Sequence, residues 1–180
     1  PGKGTFVTRK QEAKFHPLTS FSEQMRARGQ TPSSQVLNQA VIAASHRLAR
    51  ELQIPPRAEV VLIERLRLAD GEPCVLQAVY LPAELCPGIL ECDLAEESLY
   101  RTLRDAYGLV PVEADNSFEA RLAERREEEC LQLPHPSAVL VMRQTSYLED
   151  GGPVEYARSI YLPNQRFYCL HGPLVSGKEE

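Results

Sequence analysis

Tryptophan is absent from the 180 residues, and histidine occurs only four times, at positions 16, 46, 135 and 171. No Ser-His-Asp order and no cluster of metal ligands can be assembled around those four, so no cofactor and no metal are expected. The five cysteines, at 74, 86, 92, 130 and 169, are odd in number, scattered, and never spaced Cys-X-X-Cys. That pattern supports neither a zinc site nor a disulfide framework, and reduced thiols in a cytoplasmic protein are the expectation. No apolar run approaches the ~20 residues of a membrane span, and the opening PGKGTF has no signal-peptide pattern. A basic excess is missing as well. With a net charge of −5, this piece is a poor binder of nucleic acid through its own surface.

What remains is ordinary globular material, 43% hydrophobic and 25% charged, enough for one domain with appendages. The chain is organised around residues 60–82, VVLIERLRLADGEPCVLQAVYLP. Asp70-Gly71 between alternating apolar runs predicts a hairpin, because glycine accepts a positive φ at little cost. Alternation in the first strand puts Val61, Ile63, Arg65 and Arg67 on one face. Two arginines thus continue an apolar face. They suit a carboxylate or phosphate ligand, or else protein carboxylates at the sheet rim. A two-residue turn sets Gln77 opposite Glu64; a three-residue loop sets it opposite Arg65, and the sequence leaves both open.

The hairpin recurs at residues 139–163, VLVMRQTSYLEDGGPVEYARSIYLP. Both copies carry Asp-Gly-X-Pro and end in Tyr-Leu-Pro, and each follows a strand-like run, a short helix and a proline. Two strand–helix–hairpin units, 32–82 and 111–163, predict an α+β fold: a six-stranded, largely antiparallel sheet with helices packed on one side.

Elsewhere, Thr19 to Gly29 reads as a helix with a Ser20/Glu23 capping box and a terminating glycine. Ser98 opens a second helix, LYRTLRDAYG, as N-cap or first-turn residue. The run AERREEECL reads as a solvated charged helix. In the last hairpin Glu155, Ala157, Ser159 and Tyr161 share a face, where a Glu and a Tyr suit sugar-like hydroxyls or serve as ordinary strand residues. Residues 165–171 read as a closing strand, and the tail from 173 to 180 as frayed.

Taken in order, GKGTFV, LTSFSEQMRARG, RLRLADGEP with YLP, DLAEESLYRTLRDAYGL and GGPVEYARSIY resemble the HutC subfamily of GntR-type bacterial transcription regulators. The resemblance implies a chorismate-lyase-like UTRA effector-binding domain over 19–172. It also implies a remnant of a winged-helix wing at 1–8, a linker at 9–18, and a DNA-binding domain that belongs upstream and is absent. The implied partners are a small anionic metabolite such as a sugar phosphate or organic acid, a second copy of the chain in a homodimer, and DNA only through the absent domain. No membrane is involved. Carried over position by position, the implied effector contacts are Phe21, Ser22, Arg65, Arg67, Gln77, Ser98, Glu155 and Tyr161. Gln77 stands where many members have Glu, which favours the register that sets it beside Arg65. The competing readings are a chorismate-lyase-like enzyme on the same fold and a dimerisation module with a vestigial site. The GKGTFV remnant argues against the enzyme.

Overall fold

The computed structural model describes residues 18–95 and 97–163. The wing remnant, nearly all of the linker, the closing strand expected at 165–171 and the tail lie outside the described residues.

Six strands form one antiparallel sheet in the order β1-β2-β3-β6-β5-β4: β1 (Pro32–Ala43), β2 (Glu59–Ala69), β3 (Glu72–Pro82), β4 (Glu113–Leu122), β5 (Ala138–Tyr147) and β6 (Pro153–Tyr161). Each repeat unit contributes a three-stranded meander, and the two meanders join where β3 pairs with β6. The expected α+β sheet is therefore present.

The helices are α1 (Phe21–Ala27), α2 (His46–Glu51), α3 (Leu99–Tyr107) and α4 (Arg125–Leu131). The helices of the two units, α2 and α4, do lie on one side. Leu48, Ala49 and Leu52 of α2 pack on Val60 and Tyr156. Leu131 of α4 packs on Leu66, Leu76, Val141 and Ile160. The other face is not bare, which corrects the expectation of helices on one side only. There Leu99 and Leu103 of α3 cover Val61, Ile63, Val79 and Leu81, while α1 lies against Arg67. The physical reason is that β2 and β3 are apolar on both faces, so each face needs a cover.

A second correction concerns α4. Its charged run is not simply solvated, since Glu127 and Glu128 are 3% and 4% exposed. Glu127 accepts from Arg121 (2.6 and 2.7 Å) and Arg158 (2.9 Å). Glu128 accepts from the Ser137 backbone N–H (3.1 Å) and pairs with His135. Burial is tolerated because each carboxylate has several partners.

The first hairpin resolves the register question in a way neither alternative anticipated. Its turn has two residues, Asp70 (φ 54°) and Gly71 (φ 84°), with Ala69 opposite Glu72 and Leu68 opposite Pro73. The pairing then slips, so that Arg67 faces Val75 and Cys74 is left unpaired. Pro73 has no N–H for the ladder, and the Cys74 thiol donates instead to the Arg67 carbonyl (3.1 Å). The second hairpin slips at the equivalent place. Tyr147 faces Pro153, Ser146 faces Glu155, and Val154 is passed over. The repeated proline thus marks a repeated bulge.

Candidate functional site

The face shared by α1 and α3 changes character along the strands. Val61 and Ile63 on β2 give way to Arg65 and Arg67, and Val79 and Leu81 on β3 give way to Gln77 and Val75. α3 covers the apolar half. Over the polar half lies a cavity of about 160 Å³, walled by α1 on one side and the start of α3 on the other.

Arg65 and Arg67 form its floor and are 3% and 4% exposed. Arg65 donates to the Leu94 carbonyl and to Gln77 Oε1, both at 3.3 Å. Arg67 donates to Ser22 Oγ (3.3 Å), and its guanidinium lies 4.5 Å from the centre of the Phe21 ring. The capping box at Ser20 and Glu23 sets the helix that presents Phe21 and Ser22. Neither arginine has a carboxylate within ion-pair distance among the described residues, and Arg65 Nε, Arg67 Nε and Arg67 Nη1 have no hydrogen-bond partner. Burial lowers Arg65 to about 10. Burial, and then the proximity of Arg65, lower Arg67 to about 9. Both stay cationic at neutral pH, with unused donors.

The bulge at Cys74 sets Gln77 beside Arg65, and Gln77 Nε2 donates onward to Ser159 Oγ (3.3 Å). Opposite the arginines a polar cluster closes the cavity. Glu155 is 2% exposed, and its Oε2 accepts from Tyr100 Oη (2.7 Å) and Ser146 Oγ (3.0 Å). Gln144 Nε2 donates to Tyr100 Oη and Ser146 Oγ, both at 3.0 Å. Burial raises the Glu155 carboxyl above the usual range, against the pull of Tyr100, Ser146 and Arg65.

Seven of the eight residues singled out in the sequence line this one cavity: Phe21, Arg65, Arg67, Gln77, Ser98, Glu155 and Tyr161. The eighth, Ser22, is buried outside that lining and accepts from Arg67. Ser98 is the N-cap of α3, but its side chain makes no capping hydrogen bond. Sequence reasoning missed Arg28, Cys74, Tyr100, Met142 and Gln144, which also line the cavity. A signal existed for Gln144. Met142, Gln144 and Ser146 alternate on β5, and two polar side chains on a face of a central strand need a partner.

The chain matches the UTRA domain over residues 27–166. It is 32% identical over 172 residues to the HTH-type transcriptional repressor NagR of Bacillus subtilis, covering 94% of this chain and 70% of NagR. It is 27% identical over 161 residues to MngR of Escherichia coli, the mannosyl-D-glycerate transport/metabolism system repressor, covering 89% of this chain and 67% of that protein. The crystal structure of PhnF from Mycobacterium smegmatis superposes with a TM-score of 0.81 at 25% identity, over 86% of this chain and 69% of PhnF. These relatives are regulators rather than enzymes, and the lyase alternative falls with them. The chain belongs to the UTRA family, the effector-binding domain of GntR-type transcription regulators.

Proposed function

We propose that the cavity between α1, α3 and the sheet is the effector site, and that the effector is a small anionic metabolite. One observation carries this reading: two buried guanidiniums on one strand face, with three nitrogens unpartnered and no carboxylate paired to them among the described residues. Leaving buried charged donors unmet is costly, and an anion meets them with charge-assisted bonds. The proposed contacts are Arg65 and Arg67 for the anionic group, with Phe21, Ser22 and Ser98 around it. Gln77, Glu155 and Tyr161 face the rest of the molecule. The name of MngR, which attaches that protein to a carboxylate-bearing sugar derivative, is in keeping with this chemistry.

The same reading makes the domain the dimerising sensor of a DNA-binding regulator. Effector on Arg67 competes with Ser22 and Phe21, both on α1, and α1 directly follows the segment read as the linker. A shift of α1 would then reach an upstream winged-helix domain, provided the effector binds two arrangements with different affinity.

The test is a thermal-shift screen of this chain against sugar phosphates, organic acids and phosphonates, repeated on Arg67→Ala. A ligand at ~100 times its Kd stabilises by about 2.7 kcal/mol. A hit lost in Arg67→Ala supports the reading. A hit of equal size in the variant moves the site elsewhere, and silence across the whole panel favours a dimerisation module.

A further inference from the structure

Asp70 opens the turn of the first hairpin, is exposed, and stands outside the cavity lining. Its carboxylate nevertheless reaches the segment that leaves α1. Asp70 Oδ1 accepts from the Thr31 backbone N–H (2.8 Å), and Oδ2 accepts from Gln30 Nε2 (3.2 Å). The Asp70 backbone N–H donates in return to the Thr31 carbonyl (2.9 Å). Thr31 and Asp70 are the pair that would follow Pro32 and Ala69 in the β1–β2 ladder. In a straight strand the Asp70 carbonyl would receive the Thr31 N–H. At φ 54° the chain turns away into the hairpin, and the carboxylate takes the place of the carbonyl. The turn itself does not require this contact. Asp150 holds the corresponding place in the second hairpin, and its Oδ1 accepts from the Gly152 N–H (2.9 Å), inside its own turn.

What depends on the contact is the helical wall of the cavity. With seven residues, α1 is too short to keep its place by its own hydrogen bonds. At its start Phe21 and Ser22 meet Arg67; just past its end Gln30 and Thr31 meet Asp70. Both ends of the helix are thus fastened to one short stretch of chain, the end of β2 and the turn after it. The first attachment is the one for which the proposed effector competes, and the second lies clear of the cavity. We infer that Asp70 is a positioning residue of the site: its carboxylate ties the trailing end of α1 to the end of the arginine strand and holds Phe21 and Met25 over the arginine floor. Asp70 touches no ligand and acts through Gln30, which lines the cavity, and Thr31. The inference rests on the reading of this cavity as the effector site and adds the element that fixes its wall.

The experiment uses this chain and three variants. Asp70→Gly removes the carboxylate and leaves a residue at ease at positive φ; Asp70→Asn keeps that conformation and one oxygen for Thr31. Asp150→Ala removes the corresponding carboxylate from the second hairpin. Amide hydrogen exchange is followed by mass spectrometry over residues 21–31 and over β2 and β3, and methyl phosphate is titrated by calorimetry. Asp70→Gly should speed exchange over 21–31 about tenfold with β2 and β3 unchanged, and should weaken methyl phosphate binding about threefold or more. Asp70→Asn should restore most of both, and Asp150→Ala should alter neither. Wild-type exchange over 21–31 in Asp70→Gly overturns the tether. Equal acceleration in β2 and β3 overturns it too, because Asp70 would then support the whole sheet rather than the helix. A loosened α1 with wild-type affinity for methyl phosphate overturns the role of Asp70 in the site and leaves the effector reading standing. Failure of the wild type to bind methyl phosphate counts against the effector reading, while the exchange rates still decide whether Asp70 holds α1.

Discussion

Gln77 stands directly opposite Arg65, and its side-chain carbonyl accepts a 3.3 Å hydrogen bond from Arg65 Nη2. The pairing exists only because Cys74 is left out of the ladder. With the two-residue turn alone, every residue of β3 beyond it would sit one place off, and Gln77 would face away from the cavity. The neutral amide beside Arg65 leaves that guanidinium uncompensated, and the first prediction follows from this.

Gln77→Glu should weaken anion binding. A carboxylate at this position would pair with Arg65, lower the positive charge of the cavity, and repel an anionic ligand. The expected loss is about tenfold in affinity, with no loss of thermal stability in the absence of ligand. Titration calorimetry with methyl phosphate checks it; unchanged or tighter binding would contradict the account.

Arg67→Met should remove anion binding and yet stabilise the empty protein. Arg67 is buried with two nitrogens unmet, so its desolvation is not repaid in the ligand-free state. Against this stand the contact with Phe21 and one hydrogen bond to Ser22. The net gain on substitution is about 1 kcal/mol, measured by urea denaturation. A variant less stable than wild type would mean that the Phe21 and Ser22 contacts outweigh the buried charge.

Glu127→Gln should destabilise by about 2 kcal/mol, since Arg121 and Arg158 would lose a charged acceptor. Burial pushes the Glu127 carboxyl up, but the hydrogen bonds from Arg121 and the Glu124 backbone outweigh it and the net shift is downward. A carboxyl lowered in the folded state adds stability above its unfolded value, near 4.5, and that contribution is lost as pH falls through the folded value. The stability difference between wild type and Glu127→Gln should therefore shrink on acidification. A difference that grows as pH falls would run against it.

Glu155→Gln should show the opposite pH dependence. Burial raises the Glu155 carboxyl above 4.5, so its contribution is fully present below that unfolded value and is lost as pH rises through the folded one. Stability of wild type relative to Glu155→Gln should then fall as pH increases from the acid side. Denaturation curves at matched pH values decide it; a relative stability that climbs with pH would show that Tyr100, Ser146 and Arg65 hold the carboxylate ionised.

Much of this was legible because it is local. Asp70-Gly71 named a turn, the Ser20/Glu23 pair and Gly29 bounded α1, and the order of motifs named the family. The repeat gave the strand count, since each unit carries three strands. Other features had no local mark. The charged run of α4 reads as solvated because its partners Arg121, Arg158 and His135 are distant in sequence or lie beyond its end. Arg28 resembles any helix-ending arginine until the cavity beside it is seen.

By itself the sequence determined what depends on short-range backbone and side-chain preference: turns, caps, strand alternation, and the two arginines sharing a face with Val61 and Ile63. The tertiary structure decided which residues meet. Antiparallel joining of β3 to β6 brings Gln77 to Ser159 and leaves only β3 between the Glu155 strand and the arginine strand. The bulges after Pro73 and Pro153 decide which side chains point into the cavity. Packing of α3 on the apolar half of the face leaves the polar half uncovered. The reason is physical: alternation fixes only which side chains share a face, whereas register and packing between distant strands determine what that face encloses.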